Sequence, residues 1–360
     1  MKEGKRIKLL CISRRYYPSK GGMSTFCSAV FPRINKDDFD ITLLVLGKSQ
    51  IHLLWFFPYI VFYLLCNVKK YDVIFVGDLL MCLAGNICKK ISPQTKRLVA
   101  VHGLDITYAN RIYQWYIQTY ARNSFDLYVC NSEATKRLLT ERGILKTITV
   151  PSGVDKERYK NLSRNKDAFL RKYGLQEEKD IILTAGRLVK RKGVNWFVRN
   201  VVPYLPENVL YMIVGNGPDY EVIKKSICEK HLEKKILMLT DVCDKELNMC
   251  YMNADIFVMP NIKVENDMEG FGLVAIEASL AGNMVIAADI DGISTAVIDG
   301  QNGCLVESEN AEEFLEKINY FLSEKENLEL RNSVSEYTKR NFDWAIVTGR
   351  YEKALRGLMK

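Results

Sequence analysis

The chain has 360 residues, more than one compact core usually supports, so two domains are expected. Hydrophobic residues make up 48% and charged residues 26%, which excludes a disordered or wholly membrane-embedded protein. The net charge of +8 is uneven, with 27 Lys+Arg against 13 Asp+Glu up to Asp167 and 24 against 30 from Ala168 onward; a basic first half suits nucleic acid, anionic lipid or a phosphate-bearing substrate.

The opening "MKEGKRIKLLCIS" has a short apolar run that alternates into a strand, so no cleaved signal peptide is expected. Short β-branched runs then alternate with helical periods, twice over. The first set is "IKLLCIS", "ITLLVL", "DVIFVG", "RLVAVH", "DLYVCN" and "TITVP"; the second is "IILTAG", "VLYMIVG", "KILMLT", "ADIFVMP", "MVIAAD" and "GCLVE". Such alternation predicts an α/β protein of two Rossmann-like, doubly wound, mostly parallel sheets. The polar stretch Asp155 to Ala168 carries no apolar period and is the expected join. The domains are accordingly set at 1–160 and 161–341, with a C-terminal helix at about 342–360 packing back on the first. Ten cysteines without a C-x-x-C pair suit a reducing cytosol rather than a disulfide framework or zinc site.

One segment interrupts the scheme. "IHLLWFFPYIVFYLLC", Ile51 to Cys66, is nearly uncharged for 16 residues and contains Pro58. It is shorter than the roughly 20 residues of a membrane span, and it sits where a crossover helix is required. A buried or half-buried helix and a surface leaning into a membrane interface both fit, and Lys69 and Lys70 suit either.

Candidate site residues gather where strands give way to helices, since ligands of doubly wound sheets bind at the carboxyl ends of strands, beside helix N-termini. In the first half, "PSKGGMSTF" places Gly21 and Gly22 ahead of a helix, where free N–H groups can face an anion, although a glycine pair is also an ordinary turn. "VAVHGLDIT" ends the fourth strand with His102, Gly103 and Asp105; a single histidine is either structural or catalytic. In the second half, "LTAGRLVKRKGV" puts Arg187 and Lys192 after the first strand, where a guanidinium fork and an ammonium charge suit a diphosphate. Lys190 and Arg191 beside them read as a solvated turn. "EGFGLVAIEASLAGN" sets Glu269 and Glu277 eight residues apart, roughly 12 Å along a helix, a reach that matches the distance from sugar to ribose in a nucleotide-sugar. Taken alone, Glu277 is equally a solvent-facing helix residue.

Together these elements resemble the family 4 retaining glycosyltransferases of GT-B architecture, two facing Rossmann-like domains with a cleft between them. The likeness covers nearly the whole chain and extends to "VCNSEATKRLL", "VPSGVD", "GRLVKRKG", "IVGNGPDYEVI" and "ADIFVMPN", in the family's order. It implies that Glu269 holds the donor hexose with help from N–H groups at Phe271, Gly272 and Leu273, and that Glu277 binds the ribose. Arg187 and Lys192 would grip the diphosphate, Gly21 and Gly22 would lie near the phosphates or reacting sugar, and His102 would reach the sugar near its 6-position. Asn216 and Gly217 would lie by the nucleotide, and Val242 near the base. The family's Gly-Gly-Ile-Pro-Glu is replaced here by Asp291, Gly292, Ile293, Ser294 and Thr295, so the contacts of that glutamate are not carried over. "DID", Asp289 to Asp291, spells a metal-binding pattern of another fold but falls late in the second domain, so no metal and no other cofactor is expected.

The resemblance implies transfer of a hexose from a UDP-sugar or GDP-mannose to a glycan or lipid-linked acceptor hydroxyl, with retention, in cell-surface polysaccharide or glycolipid synthesis. A cytoplasmic location follows, peripheral on the inner face of the membrane if the basic domain meets anionic lipid; no nucleic-acid partner is expected. A nucleotide-sugar 2-epimerase and a non-catalytic partner subunit are the alternatives, while a NAD-dependent dehydrogenase lacks its G-x-G-x-x-G.

Overall fold

The computed structural model describes residues 6–19, 21–47, 50–175 and 179–360; residues 1–5, on which the leader reading partly rests, lie outside the described residues. Two compact units result: Met1–Gly153 with Asn266–Phe271 and Trp344–Lys360, and Val154–Glu265 with Gly272–Asp343. The division falls at 153/154 because the polar stretch that follows is fastened to the second unit. Tyr159 is buried there with its hydroxyl on the Glu277 carbonyl, and Val154 N–H bonds Phe342 O.

The first unit is a six-stranded parallel sheet of β1 (Ile7–Ser13), β2 (Phe39–Val45), β3 (Val73–Val76), β4 (Lys96–Val101), β5 (Leu127–Cys130) and β6 (Thr147–Thr149), in the order β2-β1-β3-β4-β5-β6. Its helices are α1 (Gly22–Arg33), α2 (Leu53–Asn67), α3 (Cys82–Ile91), α4 (Leu104–Thr107), α5 (Arg111–Tyr120) and α6 (Glu133–Glu141). Period-two alternation sends neighbouring residues of β1 to opposite faces. Leu10 and Ile12 enter a core with Phe56, Ile60 and Ile117 of α2 and α5, while Leu9 and Cys11 enter one with Phe26 and Val30 of α1. That second layer is completed from the far end of the chain, where Tyr351 stacks on Phe75 at 5.3 Å. Helix α2 is apolar on all sides but buries only Phe56, Ile60 and Leu64, so Ile51 to Cys66 forms a helix covered on one side alone.

The second unit has β7 (Asp180–Ala185), β8 (Val209–Val214), β9 (Ile236–Leu239), β10 (Ile256–Met259), β11 (Met284–Ala288) and β12 (Gly303–Val306), all parallel, ordered β12-β11-β10-β7-β8-β9. Around it run α7 (Lys166–Lys172), α8 (Val194–Asn200), α9 (Tyr220–Glu229), α10 (Asp244–Asn253), α11 (Leu273–Leu280), α12 (Ile293–Ala296), α13 (Ala311–Ser323) and α14 (Leu328–Phe342); α15 (Trp344–Gly357) then belongs to the first unit. The inner strands are buried along their length, which is why their sequences read as continuous β-branched runs.

A buried carboxylate fastens the amino edge of this sheet. Asp255, just before β10, has a fully buried side chain that accepts from Ile181 N at 2.7 Å, from Lys166 Nζ at 2.8 Å and from Arg164. Lys166 also reaches Asp180 at 3.3 Å, which takes Lys325 at 2.6 Å. Burial alone would raise the Asp255 pKa, but Lys166, Arg164 and the Ile181 N–H together hold it below the ordinary carboxylate value. Because the folded value is depressed, its stabilising contribution is complete above the unfolded pKa of about 3.9 and is lost as pH falls through the lower folded value. Asp255→Ala leaves buried cations unpaired and is expected to cost about 3–5 kcal/mol in chemical denaturation at pH 7. A loss under 1 kcal/mol would contradict the clamp.

Candidate functional site

In the second sheet the chain runs from β7 to β8 and β9 on one side, then returns to β10 on the other, so the order reverses between β7 and β10. Such reversal points leave a crevice at the carboxyl ends of the strands. Arg187 and Lys192 lie on the loop that follows β7. Arg187 is exposed and makes no ion pair among the described residues. The Lys192 side chain folds back toward Gly186, its Cε 3.9 Å from where a Gly186 β-carbon would stand. Arg191, expected to be solvated, is instead half-buried, and its carbonyl accepts from Ile262 N at 3.0 Å, tying this loop to the one after β10.

Glycines make that packing possible. A β-carbon on Gly193, at φ +64°, would stand 1.7 Å from Pro260 O; on Gly215, at φ +150°, it would stand 1.9 Å from Gly186 O; on Gly217 it would meet Leu188 O at 2.2 Å. Asn216 lies between the last two, exposed, with its Oδ1 accepting from Gly217 N at 2.7 Å and its carbonyl from Leu188 N at 2.9 Å. Gly272, at φ +98°, precedes Leu273 at the start of α11. Val242 is half-buried in the loop after β9. Arg187, Lys192, Asn216 and Gly217 therefore share one rim, with cations and close backbone approaches suited to an anion.

Glu277 is engaged from a different direction. One carboxylate oxygen accepts from Arg158 and the other from Tyr251 Oη at 3.0 Å. Arg158 also bonds Asn248 at 2.7 Å and lies over the Tyr159 and Tyr251 rings at 5.6 and 5.8 Å. Burial would lower its pKa, yet Glu277 and the two tyrosines raise it, keeping it charged. A carboxylate offers about four acceptor positions, so two protein bonds leave room for a diol, and Arg158 and Tyr251 orient it. Nothing in the local sequence of α11 announces these partners.

At the carboxyl edge of the first sheet the reversal lies between β1 and β3. Arg14, after β1, pairs with Asp78, after β3, at 2.9 Å, with the Asp78 side chain fully buried. His102, after β4, places Nε2 2.9 Å from Gly77 O and its ring edge-on to Phe26 at 5.0 Å. Its backbone N–H bonds Asp105 Oδ2 at 3.2 Å. Burial raises the Asp105 pKa against the pull of His102. The segment holding Glu269 lies here as well: a β-carbon on Gly270 would meet His102 O at 2.7 Å, and one on Gly103 would meet Gly270 Cα at 2.9 Å. Glu269 is half-buried and Phe271 is buried. Gly21, at φ +120°, and Gly22 are exposed at the start of α1, where Gly21 O accepts from Thr25 N at 3.0 Å.

The segment that departs from the family pattern has a backbone signature. Asp291 adopts φ +54°, the left-handed region that glycine enters freely, and it stands where the family pattern has glycine. Asp289 is exposed just after β11, and among the described residues no group of three His, Cys, Asp or Glu side chains is placed to hold a metal ion.

Comparison with known proteins gives the family and the fold. Residues 26–158 match the model of Glycosyltransferase Family 4, and residues 165–341 match that of Glycosyl transferases group 1. The chain belongs to the family 4, group 1 glycosyltransferases. An uncharacterized glycosyltransferase of Methanocaldococcus jannaschii is 26% identical over 78% of this chain and 71% of that protein. A GDP-mannose-dependent alpha-(1-6)-phosphatidylinositol monomannoside mannosyltransferase of Mycolicibacterium smegmatis is 30% identical over 44% of this chain, a match that spans only 42% of that relative. Among solved structures, Anabaena HepE in complex with UDP superposes with a TM-score of 0.79 at 18% identity, covering 98% of this chain and 100% of that one. The fold is GT-B.

The Arg158–Glu277 pair gives a direct test of this local geometry. Its side chains are each 21% exposed, so Arg158→Ala strands a largely buried carboxylate, and a loss of about 3 kcal/mol is expected in chemical denaturation. An unchanged denaturation midpoint would show that Glu277 is not held in this way.

Proposed function

We propose that the chain transfers a hexose from a nucleotide-sugar, a UDP-sugar or GDP-mannose, to an acceptor hydroxyl with retention of anomeric configuration and without a catalytic metal, in cell-surface polysaccharide or glycolipid synthesis. The observation that carries this reading is the exposed Arg187 beside Lys192 at the reversal point of the second sheet, on loops held by backbone contact. The relatives lend it support: one is GDP-mannose-dependent by its name, and HepE was solved with UDP. Ten free cysteines, among them buried Cys11, Cys27 and Cys130, support a reducing compartment such as the cytoplasm.

As the bond from the anomeric carbon to the diphosphate oxygen breaks, negative charge grows on the leaving phosphate. Arg187 and Lys192 neutralise it, a preorganised role that strengthens toward the transition state. The acceptor oxygen bonds to the anomeric carbon on the same face, and its proton passes to the leaving phosphate oxygen. Glu269 accepts hydrogen bonds from hexose hydroxyls, and the N–H groups at Phe271, Gly272 and Leu273 assist. His102, held by Gly77 O, faces the sugar near its 6-position, and Gly21 and Gly22 lie by the phosphates. Glu277, oriented by Arg158 and Tyr251, takes the ribose diol; Asn216, Gly217 and Val242 attend the nucleotide.

The test is transfer from a panel of UDP- and GDP-sugars, followed by NMR of the product anomer. Arg187→Ala and Lys192→Ala are each expected to lower kcat by about 100-fold or more, with folding intact and with EDTA leaving the wild-type rate unchanged. Near-normal turnover in both variants would overturn the site. Strict dependence on Mg2+ or Mn2+ would overturn the metal-free mechanism, and release of free UDP without any acceptor would favour the epimerase.

A further inference from the structure

Helix α2 carries an apolar face that no described element covers. Phe56, Ile60 and Leu64 point into the core of the first sheet. At about 100° per residue, Leu54, Trp55, Tyr59, Phe62 and Leu65 fall within roughly 140° of arc on the opposite side. Leu54 is 81% exposed, Phe62 66% and Leu65 57%. A solvated crossover helix carries charged residues at such positions, whereas α2 contains none.

The helices nearest this face carry basic charge only. Helices α2, α3, α5 and α6 cover the same side of the first sheet, through Phe56, Cys88, Ile117 and Leu139 of one apolar core. Glu133 and Glu141 lie on α6, whereas α2, α3 and α5 contain no Asp or Glu. Exposed Lys69 and Lys70 follow α2, exposed Lys89 and Lys90 lie at the end of α3, and exposed Arg111 opens α5. Helix α5 also exposes Ile112 and Trp115, at 76% and 60%. Contiguous apolar surface of this kind marks an interaction site, and exposed aromatic rings with flanking lysines suit the boundary between headgroups and acyl chains.

We propose that this helical layer docks on an anionic bilayer surface, with α2 lying in the plane of the interface, its outward face among the acyl chains and the lysines at the headgroups. The partner deepens the proposed function, because it would present a lipid-linked acceptor to the first unit, yet it does not depend on the reaction. The stretch Leu53–Lys70 is apolar enough to be considered as a span, but the 15 residues of α2 reach only about 22 Å, short of a hydrocarbon core of about 30 Å. Spanning would also strip Phe56, Ile60 and Leu64 from the core. A second copy is a poorer occupant, since it would bring a like-charged layer against this one.

The experiment is vesicle sedimentation of the full chain, with no donor or acceptor present, so that its outcome is separate from that of the transfer assay. Wild type is expected to bind vesicles containing phosphatidylglycerol at least tenfold more tightly than neutral phosphatidylcholine vesicles at low salt. Trp55→Gln/Phe62→Gln alters only exposed positions and is expected to weaken binding at least tenfold while keeping the circular dichroism spectrum. Lys69→Glu/Lys70→Glu is expected to abolish the preference for anionic vesicles. Brominated acyl chains are expected to quench wild-type fluorescence, and less so in Trp55→Phe. Wild type remaining in the supernatant with anionic vesicles would overturn the proposal, as would a stable dimer that the Gln variant dissociates. Retention in the membrane after alkaline extraction would equally overturn it, in favour of a span.

Discussion

Backbone meets backbone at the carboxyl edge of the second sheet with no space for a side chain between. Gly193 lies against Pro260 O, Gly215 against Gly186 O and Gly217 against Leu188 O, at separations that no β-carbon tolerates. Three loops from three strands are thereby locked into one surface, and that surface carries Arg187 and Lys192. In the proposed reaction a backbone already in place needs no reorganisation as phosphate charge develops. The first unit uses the same device where Gly270 abuts His102 O, fixing the segment of Glu269 against the end of β4.

Stability and chemistry occupy opposite edges of the second sheet. At the amino edge, Asp255 is paired with Arg164, Lys166 and Ile181 N, and Asp180 with Lys166 and Lys325, so those charges are engaged in holding strands together. At the carboxyl edge Arg187 is exposed and meets no carboxylate among the described residues. Glu277 lies between these regimes, since Arg158 and Tyr251 position it while leaving acceptor capacity. The proposed binding of a diphosphate gains from such a separation, because a cation tied to its own carboxylate would have to break that pair first.

The inner strands were legible because parallel strands buried on both faces must be nearly continuous β-branched runs, and the less buried β2, β6 and β9 because short apolar runs recur between helical periods. That Arg187, Lys192, Asn216 and Gly217 fall between a strand and the α-helix after it was legible for a related reason, because both elements are marked by their apolar periods. Partnerships across long separations were not. Arg158 lies 119 residues from Glu277, and no local periodicity encodes that pair. The Arg14–Asp78 bridge at the first reversal point is equally silent in sequence, because it depends on β1 and β3 becoming neighbours. The grouping of Asn266–Phe271 with the first unit likewise depends on contacts at His102 and Gly103. Helix α2 was ambiguous for another reason: with apolar residues on every side, its sequence does not choose a buried face, and only packing selects Phe56, Ile60 and Leu64.

The central claim is that a nucleoside diphosphate binds at the rim formed by the loops after β7 and β8. Hydrogen exchange measured by mass spectrometry, with UDP or GDP added at saturating concentration, tests it without requiring the acceptor. The account predicts slowed exchange in the peptides spanning Gly186–Gly193 and Gly215–Asp219, reduced in Arg187→Ala at the same nucleotide concentration. Saturable binding with no protection in either loop, or protection confined to the amino edge around Asp255, would contradict it.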